Sequence, residues 1–213
     1  MNSFPAIFEA ILIISASYLI GSIPFGLLIG KTVKGVDIRQ YGSGSTGATN
    51  LLRVCGTVYG VTALLLDMAK AIVPMLIVVY IIEIDSLIHA LAGIAIICGH
   101  SWPIYINFKG GKGIASGWAT LFILSPLSGL IATAIGLPII AFTRFVSLGS
   151  ISGSTAGCVS LMFLSIHNFD NVPKLPIYYF FYALIGWVIT ISLHKQNIFR
   201  LMKGTESKIG TRT

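Results

Sequence analysis

The feature that most limits what this chain can become is the length of its apolar runs. They extend from about Pro5 to Gly30, Val58 to Ile84, Leu87 to Ile106, Ile114 to Phe142, Phe145 to Ile166 and Pro176 to Leu193. A helix needs about 20 largely apolar residues to cross the hydrocarbon core of a bilayer. There the backbone must satisfy its own hydrogen bonds, so such runs read as helices. Charged residues make up only 10% of the 213 and hydrophobic ones 55%. Soluble domains carry about 25% charged residues, so a soluble enzyme is excluded. The first run is not a cleavable signal: it has Glu9 in place of a basic leader and is long enough to span.

The basic residues orient the bundle. Lys31, Lys34, Arg39 and Arg53 follow the first run, and Lys195, Arg200, Lys203, Lys208 and Arg212 follow the last. Both clusters belong in the cytoplasm by the positive-inside rule. The connection after the second run carries Glu83 and Asp85 and no base, so it lies outside, and Lys109 and Lys112 return inside. These placements agree only if Ile114–Phe142 is two short helices turning at Ser125-Pro126. The expected fold is therefore an all-α integral membrane protein. It has seven transmembrane helical segments in a single domain (residues 1–213), N-terminus outside and C-terminus cytoplasmic. Loops 31–53 and 107–113 and the tail 194–213 then share the cytoplasmic side. A net charge of +7 suits loops facing anionic lipid. Nucleic-acid binding is not expected, because the bases are scattered and no soluble module carries them.

Each polar island has a chemical reading. The first is Gly42-Ser43-Gly44-Ser45-Thr46-Gly47-Ala48-Thr49-Asn50. Glycines let a backbone approach a ligand closely, and successive N–H groups in such turns make an anion-binding nest. A helix starting near Thr49-Asn50 adds its N-terminal N–H groups and puts Thr49 and Arg53, four apart, on one face. A flexible turn with an N-cap is the plainer alternative. No nucleotide-type P-loop is present, since the Gly-Lys-Ser/Thr ending is missing. The second island, Phe108-Lys109-Gly110-Gly111-Lys112-Gly113, suits phosphate or serves as an ordinary membrane-edge turn. In the third, His194, Asn197 and Arg200 recur at intervals of three, stacking polar groups along a helix leaving the membrane. A basic amphipathic tail on lipid is the alternative there.

Four further features lie in or beside the apolar runs. Asp67 and Lys70 are a functional pair or a mutually compensating one. The small-residue run from Ser147 to Gly157 suits close helix packing. Cys55, Cys98 and Cys158 are far apart and read as reduced and structural. His89 and His167 are peripheral, and His100 stands near a membrane edge in a structural setting.

Taken together and in order, these stretches resemble one family, the bacterial integral-membrane acyl-phosphate:glycerol-3-phosphate acyltransferases (the PlsY family). The resemblance rests on Gly21-Ser-Ile-Pro-Phe-Gly26, Gly42-Ser-Gly with Gly47-Ala-Thr-Asn50 through Arg53, and Gly99-His100 with Pro103. It continues through Phe108-Lys-Gly-Gly-Lys-Gly113, Val146-Ser-Leu-Gly-Ser150, and His194, Asn197 and Arg200-Leu with Lys203-Gly-Thr-Glu206. It covers nearly the whole chain. The seven-span, N-out architecture it implies agrees with the charges. Ser45 departs from it, standing where the family usually has Asn, and Thr46 is also unusual.

The resemblance implies transfer of a fatty acyl group from acyl phosphate to the 1-hydroxyl of glycerol 3-phosphate. The products are 1-acylglycerol 3-phosphate (lysophosphatidic acid) and phosphate, the first step of phospholipid synthesis. Ser43, Thr49, Arg53 and Lys112 are then candidates for phosphate or oxyanion contacts. His194, Asn197, Lys203 and Glu206 orient glycerol phosphate, with His194 the candidate general base and a substrate phosphate oxygen the alternative proton acceptor. Gly42, Gly44, Ser45, Gly47, Asn50, Gly110, Gly111 and Gly113 complete the expected phosphate-binding set. No covalent acyl-enzyme is expected, because no serine sits in a nucleophile elbow or triad pattern. Neither a metal nor another cofactor is expected, nor use of acyl-CoA. The expected partners are glycerol 3-phosphate, acyl phosphate and membrane lipid. The competing class is a transporter or flippase for a phosphorylated small molecule, which the Asp67–Lys70 pair and broken helices also suit.

Overall fold

A computed structural model describes residues 3–82, 84–168 and 174–210. Glu83 and Arg212, used above to orient the bundle, lie outside the described residues. The helices are α1 (Ser3–Gly21), α2 (Phe25–Lys34), α3 (Ala48–Cys55), α4 (Thr57–Leu76), α5 (Ser86–Ser101), α6 (Ile114–Leu124), α7 (Pro126–Thr143), α8 (Val146–Ile166), α9 (Ile177–Leu193) and α10 (Lys195–Met202). A wider π-type turn, Ile77–Ile81, continues α4.

The first apolar run is not one continuous helix. Pro24 cannot donate to the ladder, and α1 stops three residues before it. At the Ser22–Pro24 break the Ile23 carbonyl accepts the Phe25 N–H at 3.2 Å and the buried Lys70 ammonium at 2.7 Å. The break expected at Ser125-Pro126 is present. Ser125 caps α7 by accepting from the Ser128 N–H at 3.3 Å, and Pro126 occupies the first helical turn, where its missing N–H loses nothing. The two halves are unequal, however. α6 has 11 residues, but α7 has 18 and is long enough to cross by itself, so only the first half is short.

Five stretches are long and apolar enough to cross a membrane: Ala6–Lys34, Thr57–Ile81, Ser86–Ile106, Pro126–Thr143 and Val146–Ile166. α9 and α10, bent by 56°, make a sixth if taken together.

Small residues set the closest helix contacts. A methyl added at Gly149 would lie 2.5 Å from the Gly136 carbonyl oxygen, and one at Gly153 would lie 2.7 Å from that of Ala132. α7 and α8 therefore touch backbone to backbone, the arrangement expected of the Ser147–Gly157 run. α1 and α5 meet the same way through Gly21 and Gly99. Ala71, Met75, Ala92, Ile96, Leu161 and Ala183 fill the interior with no exposed surface. Phe8, Leu12, Leu65, Leu137 and Phe142 face outward. An apolar exterior of this kind belongs against lipid rather than water.

Candidate active site

The loop between α2 and α3 is organised by Asn50. Its Nδ2 donates to the Ile38 and Ser45 carbonyls at 2.8 and 2.9 Å, while its Oδ1 accepts the Ser43 N–H at 3.0 Å. Gly42 and Gly44 take φ values of 55° and 69°, which a side chain would oppose. The loop ends at Gly47, and α3 begins at Ala48, one residue before the expected start. Thr49 and Arg53 then share a face directed into a cavity.

The second loop folds back on the end of α5. The Gly110 and Gly111 N–H groups donate to the Ser101 and His100 carbonyls at 3.2 and 3.0 Å. Two contacts join the loops: Thr46 N–H donates to the Gly110 carbonyl at 3.4 Å, and Arg39 Nη1 to that of Ile106 at 3.3 Å. Arg39 is otherwise held by Asp37 at 2.7 Å, and its guanidinium keeps that carboxyl down at about 2.

The tail closes the third side. His194 sits in the bend between α9 and α10, so the polar stack expected along one continuous helix is bent at its first member. The His194 Nδ1–H donates to the Thr190 carbonyl at 2.8 Å, which leaves Nε2 for the cavity. Glu206 returns from beyond α10 and gathers three donors. Asn197 Nδ2 and Ser147 Oγ reach its Oε1 at 2.6 Å each, and Arg200 Nε reaches its Oε2 at 2.7 Å. Asn197 Oδ1 in turn accepts from Lys112 Nζ. One chain of hydrogen bonds thus runs from the second loop through α10 and the tail to the start of α8.

These groups line one cavity of about 520 Å³. Its polar end holds Ser43, Ser45, Gly47, Thr49, Arg53, Lys112, Gly113, His194, Asn197 and Glu206, all singled out in the sequence. Its apolar end runs between helices, past Leu64, Met68, Leu121, Ala132, Leu137, Ile140 and Cys158. Arg53 Nη2 donates to the Ser207 carbonyl at 3.3 Å, while its buried Nε has no partner among the described residues and is a free donor at the cavity.

Burial lowers the Lys112 ammonium to about 8, with Arg200 and Arg53 adding to the effect against Glu206. Burial likewise holds His194 below the usual imidazole range, so it is neutral at pH 7. For Glu206 burial works the other way, but hydrogen bonds from Ser147, Asn197 and Arg200 outweigh it and keep the carboxyl below its usual value.

Other expected phosphate ligands have different positions. Asn50 and Gly42 are turned inward, holding the first loop together. Gly44 lies beside Asp37 and Arg39, outside the main cavity. Gly110 and Gly111 are spent on close approach to His100: a methyl at Gly111 would stand 2.1 Å from its Nε2. Lys203 lies 4.4 Å over the Phe199 ring and does not line the cavity. Sequence reasoning passed over Arg144, whose Nη2 donates to the Ile209 carbonyl at 2.9 Å while its own carbonyl accepts the Ile209 N–H at 2.8 Å. Its signal was present: a lone arginine between two apolar runs, on the side of the other bases. Ser147 was read only for packing, yet it bonds Glu206.

A cavity with cationic and hydroxyl donors at one end and a hydrocarbon lining at the other suits a phosphorylated substrate meeting an acyl chain. Comparison with known proteins agrees. The family model described as glycerol-3-phosphate acyltransferase matches residues 11–204. The glycerol-3-phosphate acyltransferase of Halalkalibacterium halodurans is 42% identical over 200 residues, covering 93% of this chain and 95% of its own length. That of Thermoanaerobacter sp. is 42% identical over 204 residues, covering 96% and 98%. Among solved structures, PlsY (YgiH), an integral membrane glycerol 3-phosphate acyltransferase, superposes in its glycerol 3-phosphate form with a TM-score of 0.85 at 37% identity, covering 95% of this chain and 96% of that one. Its lysophosphatidic acid form gives 0.82 at 36%, with the same coverage. Sequence, fold and site together place this chain in the PlsY family of integral membrane glycerol-3-phosphate acyltransferases.

Proposed function

We propose that the acyl donor is acyl phosphate and that the acceptor is the sn-1 hydroxyl of glycerol 3-phosphate, giving 1-acylglycerol 3-phosphate and phosphate. The observation that carries this reading is the meeting of Arg53 and Lys112 at one end of the apolar cavity. Two phosphate-bearing substrates need two cationic anchors, and the acyl chain needs the hydrocarbon lining below them.

In the step itself the glycerol hydroxyl oxygen attacks the acyl carbonyl carbon, and the bond from that carbon to the phosphate oxygen breaks. Phosphate is a good leaving group, so positioning and charge stabilisation supply most of the catalysis. Arg53 Nε, Lys112 Nζ and the Ser43 and Thr49 hydroxyls face the phosphates and the developing oxyanion. His194 Nε2 receives the hydroxyl proton, its role fixed by the Nδ1–H bond to Thr190. Ser43 Oγ is paired with Ser45 Oγ at 3.1 Å and Ser147 Oγ with Glu206, so neither hydroxyl is hydrogen-bonded to a histidine that would activate it. This favours direct transfer over an acyl-serine.

Seven membrane segments, α6 included, put the N-terminus outside and the C-terminus inside. The site then opens on the cytoplasmic face of the bacterial inner membrane. A transporter needs access from both faces to a midplane site, whereas these polar groups gather at one end.

The test uses purified protein in detergent, supplied with glycerol 3-phosphate and either palmitoyl phosphate or palmitoyl-CoA. Lysophosphatidic acid from palmitoyl phosphate alone is expected. Product from palmitoyl-CoA alone overturns the donor assignment, and folded protein inert toward both counts for the transport reading.

A further inference from the structure

The buried Asp67–Lys70–His100 cluster is not explained by the transfer chemistry. Its three side chains are almost wholly buried. Lys70 Nζ lies 2.8 Å from Asp67 Oδ1, and His100 Nδ1 lies 3.6 Å from the same oxygen. Charges buried among membrane helices are costly, and a merely compensating pair has no need of a third ionisable partner. Each partner of Asp67 leads to a different substrate loop.

One arm runs through Lys70. Its ammonium holds the Ile23 carbonyl at the α1–α2 break at 2.7 Å. That break sets the direction of α2, and α2 brings Gly26 against the first loop, where a methyl would stand 2.0 Å from the Thr46 carbonyl oxygen. The other arm runs through His100. Its carbonyl accepts the Gly111 N–H at 3.0 Å, and its ring packs against Gly111 so closely that no side chain fits there. Lys112 is the next residue. The arms meet again where Thr46 N–H donates to the Gly110 carbonyl at 3.4 Å. α6 is tied to the same point, since Ser116 Oγ donates to the Asp67 carbonyl at 3.3 Å.

We infer that Asp67 is a positioning residue: through Lys70 and His100 it holds the two glycine loops in register, so that Lys112 faces Arg53 across the cavity. Asp67 and His100 also line the cavity. The inference rests on the acyl-transfer reading, because only that reading gives Lys112 a reacting group to face. A misplacement of about 1 Å at a reacting centre costs about a hundredfold in rate.

The test is the steady-state kinetics of the full chain in detergent, with palmitoyl phosphate and glycerol 3-phosphate, for wild type, Asp67→Asn and Asp67→Glu. The same Asp67→Asn change is also made in a Lys112→Arg background, and thermal unfolding is recorded for every variant. Asp67→Asn is expected to lose roughly 10–100-fold in kcat with little change in KM for glycerol 3-phosphate, and Asp67→Glu to recover much of it. In the Lys112→Arg background, where the positioned ammonium is already gone, the same change is expected to cost under about threefold, because residues acting as a unit are not additive. Wild-type kcat in folded Asp67→Asn overturns the inference, and so does an undiminished loss in the Lys112→Arg background. If Asp67→Asn does not fold, His100→Gln, which keeps the Asp67–Lys70 pair, takes its place, and wild-type kcat there overturns it equally. An inert wild-type chain instead counts against the acyl-phosphate reading itself.

Discussion

Lys112 sits where burial and two arginines oppose its charge, and its pH behaviour follows from that. With the ammonium at about 8, kcat/KM is expected to fall about tenfold per pH unit above that value, since this parameter reports the free enzyme. Lys112→Arg should keep reduced activity but lose that limb, because a guanidinium stays charged throughout the range. The stability effect has the opposite sign. Between about 8 and the ordinary lysine value the unfolded chain binds more protons at this position than the folded one, so this residue's contribution to stability rises with pH in that window. Glu206 makes a second prediction at this scale. Its carboxylate accepts from Ser147, Asn197 and Arg200. A glutamine amide cannot accept at both ends, so Glu206→Gln is expected to lose roughly 10–100-fold in kcat/KM, measured by phosphate release. Ser43, Arg53, Lys112, His194 and Asn197 stand out in the sequence as polar groups in islands between apolar runs, Glu206 stands out only through the family resemblance, and the structure brings all six to the lining of one cavity. The inward turn of Asn50 was not legible in the sequence, since an amide in a glycine loop reads the same whether it faces a ligand or its own backbone.

Helix contacts carry the next level. The α7–α8 pair depends on Gly136, Gly149 and Gly153, and the cavity runs along the same two helices. Gly153→Ala would put a methyl 2.7 Å from the Ala132 carbonyl oxygen, so it is expected to destabilise the protein by about 1–3 kcal/mol. Thermal unfolding in detergent checks this. The small-residue run predicted this packing, because only small side chains let backbones approach. The break inside the first apolar run was missed, because its counterpart, the Lys70 ammonium on the Ile23 carbonyl, lies 47 residues away. Pro24 was the local signal. The Ser125-Pro126 break was found because Pro and a capping Ser act on their own neighbours. Spacing by threes carries no trace of the 56° bend at His194, beyond which the tail returns to bond Ser147 through Glu206 and Arg144 through Ile209.

Across the whole molecule, three polar islands far apart in sequence close one end of a lipid-facing helical bundle. The charge pattern brought them to one side, and the structure brings them to one cavity. The orientation of that end has its own test. In a background lacking Cys55, Cys98 and Cys158, Lys195→Cys and Asn168→Cys both place a thiol at an exposed position. With the C-terminus inside, an impermeant maleimide is expected to label the Asn168→Cys thiol in intact cells, and the Lys195→Cys thiol only after permeabilisation. The reverse pattern inverts the topology. Direct transfer from acyl phosphate is tested by a paired measurement, in one detergent reaction, of phosphate released and lysophosphatidic acid formed from palmitoyl phosphate. One phosphate per lysophosphatidic acid is expected, both dependent on glycerol 3-phosphate and both lost in Arg53→Ala. Phosphate release that continues at full rate without glycerol 3-phosphate, or product formed without any phosphate release, would contradict direct transfer.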